Sequence, residues 1–497
     1  MTYHTTFLAF VNSLFSFLFF LFLIFLFVLR FAFRFIYIYE PCHQGAFMHS
    51  YKKRELLTHP LVMGTAILTI TGFLSRFIGF FYRIFLSRVF GAEGMGIYQL
   101  IAPVLALSFA LTVSGIQTAI SKYVAGEELT GDYASSLLHL FTGFLIAMTL
   151  SILCAVGIYH YSFEIAVFFL REERTAPLLR IIALSIPMAT VHSCINGYFY
   201  GIKKTSIPSA CQLAEQIIRV GSVYLIYYFF KKRGLTPTIS FAVVGLVIGE
   251  AASMIVSLIA VKLHFDKVYP WNTNALKRLK PSRLFPVIRQ LLSLAIPLST
   301  NRIIINFLQS IEAIFIPQKL LAYGYDTTTS LSVYGVLTGM SLPLILFPGA
   351  ITNSISVLLL PMVSEAEAVG NRNKIAKAVQ SSIRYGFLLG LLFTALFFFG
   401  GKFLGNLLYQ NDMAGDFILV LSFLCPLMYI ASTLNSILNG LGRTMETFFY
   451  SMVSLLVRLG FVFFLIPVYG IYGYLWGLLA SQFVQTVLCI LGVRKLK

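Results

Sequence analysis

Twelve apolar windows of about 20 residues follow one another along this chain, at 61–82, 97–118, 136–157, 176–197, 209–230, 239–262, 289–316, 331–360, 382–400, 415–437, 445–466 and 469–492. At 1.5 Å per residue each is long enough to cross a hydrocarbon core of about 30 Å. A bilayer interior offers no water to unpaired backbone groups, so such windows must be helices. Composition agrees: 58% of residues are hydrophobic, 11% are charged, and the mean hydropathy is +0.84. A soluble domain carries about a quarter charged residues. The expected fold class is an all-α polytopic membrane protein. Pro343, Pro348 and Gly349 predict a kink within 331–360.

The windows are not independent. Pro187, Ser193, Asn196, Gly201, Thr205, Arg219, Gly221 and Val223 match Pro426, Ser432, Asn435, Gly440, Thr444, Arg458, Gly460 and Val462 at a constant offset of 239. With six windows per half, this predicts two six-helix lobes related as parallel repeats around a central cavity, an organisation found in transporters. The expected division is a Phe-rich extension at 1–59, a first lobe at 60–262, a basic linker at 263–288 and a second lobe at 289–497. Within the extension, Phe7 to Leu29 is apolar and long enough to span, yet has no basic n-region or small-residue cleavage site. It reads either as an extra N-terminal helix or as a start placed too early, with Met48 or Met63 as the first residue.

Lysine and arginine set the orientation. With Lys52, Lys53 and Arg54 inside, 20 basic residues fall on the cytoplasmic side and nine outside, among them Arg83 and Arg88. Both ends of the core are therefore expected on the cytoplasmic side of the membrane. The formal charge of +18 is not a nucleic-acid signature, because it resides mainly in short loops on one side. Leu276–Phe285, with Lys277, Arg278, Lys280 and Arg283, fits the anionic lipids of the inner leaflet, or simply a solvated linker. Six scattered cysteines form no CxxC pair, and eight histidines show no metal-ligand spacing. No cofactor is expected, nor any set of nucleophile, base and acid. Gly91–Gly96 is glycine-rich but lacks a preceding strand and a following Gly-Lys-Ser/Thr, so it reads as a tight turn.

Ionisable residues inside spans carry the functional signal, since a charge at bilayer depth costs several kcal/mol. Arg76 and Arg302 occupy similar depths in the first helix of each half, Arg219 and Arg458 in the fifth. Guanidinium groups stay charged and pair bidentately with phosphate oxygens. Four of them around a cavity suit a multiply charged anion such as a diphosphate. Glu215, Glu250 and Glu312 also lie in spans, as ion-coupling groups or as charge partners. Glu215 is one turn before Arg219 and on its face. Glu250 and Glu312 are candidate partners for Arg302 or Arg76, although Glu312 is too far along its own helix to reach Arg302 without bending.

Several runs resemble one known family. They are Ser75-Arg76-Phe77-Ile78-Gly79-Phe80 with Arg83, Gly91-Ala92-Glu93-Gly94-Met95-Gly96-Ile97-Tyr98, Ala119-Ile120-Ser121-Lys122, Gly197-Tyr198-Phe199-Tyr200-Gly201, Leu213 to Arg219 and Gly249-Glu250-Ala251-Ala252-Ser253. The second half adds Ile296-Pro297, Asn301-Arg302 and Leu360 to Glu365. In this order they resemble the stage V sporulation protein B family, over about 60–492. That family belongs to the multidrug/oligosaccharidyl-lipid/polysaccharide exporter superfamily, which includes flippases for lipid-linked oligosaccharides and peptidoglycan precursors. Gln117 stands where the family usually has proline, and family members commonly carry two helices beyond the twelve read here.

The resemblance implies a spore-forming, Gram-positive source and a flippase of the MATE-like fold. Its substrate would be a lipid-linked sugar pyrophosphate for wall or polysaccharide synthesis, with wall-synthesis enzymes as partners, and it would not be an enzyme. Two rivals remain: a proton- or sodium-coupled drug antiporter using the intramembrane glutamates, and a non-transporting scaffold for wall synthesis.

Overall fold

The computed structural model describes residues 60–268 and 284–494, and among these every regular element is helical. The extension 1–59 and the basic core of the linker, 269–283, lie outside the described residues. The helices are α1 (Pro60–Leu100), α2 (Ala102–Phe109), α3 (Gly115–Thr130), α4 (Tyr133–His160), α5 (Ala176–Ala183), α6 (Ser185–Gly201), α7 (Ser206–Lys232) and α8 (Ser240–Val268) in the first half. The second half holds α9 (Leu284–Tyr323), α10 (Thr327–Gly335), α11 (Leu342–Leu346), α12 (Gly349–Ala368), α13 (Arg372–Leu404), α14 (Asp412–Leu421), α15 (Leu424–Gly440), α16 (Thr444–Phe464) and α17 (Ile471–Arg494).

Nine helices among the described residues are long and apolar enough to cross a membrane, or eleven when each of two bent pairs counts as one span. One of the nine is a run of 64 residues, Ile67–Thr130. At 1.5 Å per residue it would extend about 96 Å, roughly three bilayer cores, so it crosses more than once. Gly91 breaks it with φ 70, a left-handed conformation that suits glycine. Counted as two crossings, this run raises the total to twelve, a number that takes Thr327–Leu346 and Gly349–Ala368 separately and does not include Ser206–Lys232. The kink predicted in 331–360 is a double break: a π-helical turn at Val336–Ser341 follows α10, and Pro348 caps α12.

The repeat extends further in the backbone than in the side chains. Gly131 and Gly370 both take positive φ, as do Arg171 and Gln410, and Lys203 and Gly442, each pair 239 apart. Asp132 and Asn371 cap α4 and α13 by accepting a backbone N–H three residues on, from Ser135 and Lys374. α5 and α6 meet at a bend of 44°, α14 and α15 at 53°. Pro187 and Pro426 follow those bends directly, where a residue without an N–H cannot continue the ladder of the preceding helix.

The lobes meet along α1. Phe347 packs its ring against Phe73, Phe77 and Phe80 at centroid distances of 6.1, 6.2 and 5.1 Å. Past Gly91 the backbones touch: a Cβ on Gly96 would lie 2.1 Å from the Leu331 carbonyl oxygen, and one on Gly335 2.0 Å from that of Ala92. Small residues permit such approach between apolar helices. α9 serves both lobes. Val287, Leu291 and Ala295 join the first-lobe core with Ile116, Ile120 and Tyr198, while Glu312 and Phe315 reach Arg458 and Phe463 of the second lobe. The five cysteines among the described residues are free.

Candidate functional site

A cavity of about 670 Å³ lies between the lobes. Its first-lobe wall is one face of α1, with Ser75, Arg76, Gly79, Tyr82, Arg83 and Leu86, joined by Tyr98 and by Gln212, Gln216 and Arg219 of α7. Its second-lobe wall holds Thr338, Pro343, Phe347, Thr352 and Asn353, with Tyr429 and Ser432 of α15. Spacings of three and four residues place Arg76, Gly79, Arg83 and Leu86 on one face. Three guanidinium groups therefore share a single inter-lobe cavity.

Each deep arginine has a different electrostatic state. Arg219 forms an ion pair with Glu215, and its Nη2 lies 3.6 Å from Glu250 Oε1. Glu250 Oε2 in turn meets His192 Nε2 at 2.8 Å. Arg458 is held by Glu312, with Nε at 2.5 Å from Oε1 and Nη2 donating to Oε2 at 2.7 Å. Tyr474 donates its hydroxyl to Oε1 of the same carboxylate at 2.6 Å. Arg76 has no carboxylate partner among the described residues. Its Nη1 and Nη2 donate at 2.8 and 3.1 Å to the Asn353 side-chain oxygen, in the amide orientation that satisfies both groups. Arg83 donates to the Thr338 carbonyl at 3.4 Å. The positive charge left uncompensated in the cavity therefore sits on α1.

These positions sort the residues singled out in the sequence. Arg76 and Arg219 line the cavity; Arg302 and Arg458 do not. Arg302 is exposed on α9, although it stands 226 residues after Arg76, the offset that also relates the π-helical turns beginning at Ala110 and Val336. The expected four-arginine ring is thus a three-arginine wall, in which Arg83 joins Arg76 and Arg219. Glu250 and Glu312 partner neither Arg302 nor Arg76: they go to His192 with Arg219 and to Arg458. Arg83 and Arg88, counted among outer-loop residues, are helical. Arg88 reaches across to the Leu408 and Leu407 carbonyls at 2.8 and 2.5 Å.

His192, Glu215 and Glu250 bring three potential metal-ligand atoms within 4.8 Å of one another. They come from α6, α7 and α8, so no sequence spacing announces them. Arg219 occupies the carboxylate oxygens that a metal ion would need, and the group reads as a charge cluster. Three buried polar atoms, Ser75 Oγ, Arg219 Nε and Tyr429 Oη, have no hydrogen-bond partner among the described residues, and all three residues line the cavity. Buried polar atoms in this state mark a place where a polar ligand can bind.

A two-lobe helical bundle with a charged cavity at its centre defines a membrane transporter fold of the multidrug and lipid-flippase type. Solved structures bear this out. The inward-facing conformation of a multidrug resistance MATE family transporter of the MOP superfamily superposes with a TM-score of 0.63 at 15% identity, over 85% of this chain and 95% of that one. The lipid II flippase MurJ in an inward closed conformation gives 0.64 at 16% identity, over 86% and 87%. The chain belongs to the polysaccharide biosynthesis protein family, whose model matches residues 61–367, and the MatE model matches 303–464. Among relatives from Bacillus subtilis (strain 168), stage V sporulation protein B is 27% identical over 434 residues, 87% of this chain and 83% of that protein. The lipid II flippase MurJ of the same organism is 21% identical over 342 residues, covering 66% and 62%. The resemblance read from the motifs therefore holds.

Proposed function

We propose that this protein flips a lipid-linked, polyprenyl-diphosphate precursor of wall or spore-cortex polysaccharide across the membrane by alternating access. The observation that carries this reading is the pair Arg76 and Arg83, two guanidiniums on one face of α1 in an inter-lobe cavity, neither with a carboxylate partner among the described residues. Guanidinium matches phosphoryl oxygens in geometry and charge. Arg219, Ser75 and the cavity hydroxyls complete a polar wall for the head group, while the isoprenoid tail remains in lipid. Relatives named as a sporulation protein and a lipid II flippase support the same substrate class. No bond is made or broken, so the role is transport rather than catalysis.

The basic-residue bias supports cytoplasmic ends for the core. In that orientation the Gly96 and Gly335 contacts close the outer end. Anionic inner-leaflet lipids are then the partners of the basic linker, and wall-synthesis enzymes the suppliers and users of the cargo. A cation antiporter is the weaker reading, because Glu215, Glu250 and Glu312 are each engaged by arginine or histidine. Depleting the protein and identifying the lipids that build up tests the function. Accumulation of a polyprenyl-diphosphate sugar is expected. Normal precursor pools together with heightened sensitivity to cationic drugs would contradict it.

A further inference from the structure

Arg76 differs from Arg219 and Arg458 in the kind of partner it keeps. They are neutralised by carboxylates; it is held by a neutral amide. That amide belongs to the opposite lobe, so the contact spans the cavity from α1 to α12. We propose that Asn353 is a displaceable occupant of the diphosphate site, its side-chain oxygen sitting in the fork of Arg76 where a phosphoryl oxygen of the cargo binds. Exchange of the one for the other releases a tie between the lobes. This deepens the proposed function and rests on it.

Asn353 is fixed at its other end. In the orientation that serves Arg76, its Nδ2 donates to Ser432 Oγ at 3.1 Å. Ser432 and Ser356 hydroxyls lie 3.3 Å apart, and Ser436 donates to the Ser356 carbonyl. The amide is therefore anchored to α12 and α15 as one unit, and Arg76 is tied to the whole second lobe. Arg76 and Asn353 are both exposed to the cavity, so in the empty carrier the amide oxygen shares the guanidinium with solvent rather than sealing it off. An amide oxygen is a weaker acceptor than an anionic one. Arg76 is the charged donor in either case, but a phosphoryl group adds anionic acceptors that meet both arms of the fork, which one neutral amide oxygen does not. The amide holds when the site is empty and yields when a diphosphate arrives. A carboxylate at the same place would not yield.

Arg83 follows the same pattern two turns along α1, with a carbonyl of the second lobe as its neutral acceptor. The empty carrier is thereby held in this conformation by contacts that the cargo itself replaces. Asn353 acts through Arg76, as a positioning residue.

The test uses the full chain in nanodiscs, with inorganic pyrophosphate as the probe. Affinity is read by calorimetry, and lobe separation by spin labels on Glu128→Cys and Glu367→Cys, two exposed positions 239 residues apart. Asn353→Ala should bind pyrophosphate about tenfold more tightly, the order of one hydrogen bond to a charged group. Its ligand-free label distances should shift to those of the pyrophosphate-saturated wild type. Asn353→Asp should bind at least about tenfold more weakly and keep its distances fixed when pyrophosphate is added. Ser432→Ala, a milder change that removes only the anchor, should move both readouts as Asn353→Ala does but less far, and serves if Asn353→Ala does not fold. Wild-type affinity and distances in Asn353→Ala, or in Ser432→Ala where it replaces it, overturn the displacement and leave the proposed function standing. Failure of wild type and variants alike to bind pyrophosphate overturns both.

Discussion

Arg458 on α16 and Glu312 on α9 are 146 residues apart in sequence and 2.5 Å apart in space, Nε to Oε1. The equivalent arginine of the first lobe, Arg219, finds its carboxylate one turn back on its own helix, at Glu215. The two arginines are related by the repeat, yet one is enclosed in the second lobe and the other borders the cavity.

Glu312→Ala leaves the Arg458 guanidinium buried and unpaired, and should cost about 3–5 kcal/mol of stability. Arg458→Met leaves the carboxylate in the same position and should cost a similar amount. The double variant Glu312→Leu with Arg458→Met should be milder than either single one. Thermal unfolding of the purified protein in detergent checks this. A double variant as unstable as the sum of the singles would show that the two side chains act independently.

The corresponding experiment in the first lobe should separate stability from transport. Replacing Glu215 and Arg219 together should recover stability relative to either single variant, for the same electrostatic reason. Transport should stay impaired, because Arg219 also lines the cavity. The second-lobe double variant should transport normally. Parallel thermal-shift and precursor-translocation measurements on both pairs test the contrast, and equal transport by both double variants contradicts it.

Gly96 and Gly335 should tolerate no larger residue without moving the lobes. Alanine at either position would place a Cβ about 2 Å from a carbonyl oxygen of the other lobe. Overpacking of this kind costs about 1–3 kcal/mol. It should shift the protein toward a state in which that end of the cavity is open, raising the reactivity of Thr338→Cys to a water-soluble maleimide. Unchanged labelling in both Gly96→Ala and Gly335→Ala would show that the contact does not hold the lobes together.

Much of this architecture was legible in the sequence, for definable reasons. Apolar windows report the length of a bilayer crossing, and the offset of 239 reports a duplicated backbone. Arg76 stood out as a charge at bilayer depth. Arg83 and Arg88 fall outside the first apolar window, which ends at residue 82. Their charges are satisfied by carbonyls of the other lobe, and no window can register that contact. Arg302 shares its sequence position with Arg76 but not its surroundings, because α9 is divided between the lobes. Asn353, a neutral amide among apolar residues, carried no signal. The cluster of His192, Glu215 and Glu250 emerges only when three helices come together.

Orientation can be checked independently of the substrate. Asn373 follows the turn before α13, and Gln410 lies at the other end of that span; both are exposed. Asn373→Cys should react with an impermeant maleimide only when the cytoplasmic face is opened, and Gln410→Cys in intact cells. The reverse pattern would invert the assignment made from the basic residues.

The central claim is that guanidiniums on α1 hold the diphosphate of the cargo. Its most direct test is precursor translocation in proteoliposomes carrying wild type, Arg→Lys or Arg→Ala at positions 76 and 83, with equal protein in the membrane. Lysine keeps the charge and loses the bidentate fork; alanine loses both. The account predicts rates falling in the order wild type, lysine, alanine at each position, with the double alanine variant inactive. Wild-type rates in both Arg76→Ala and Arg83→Ala would contradict it.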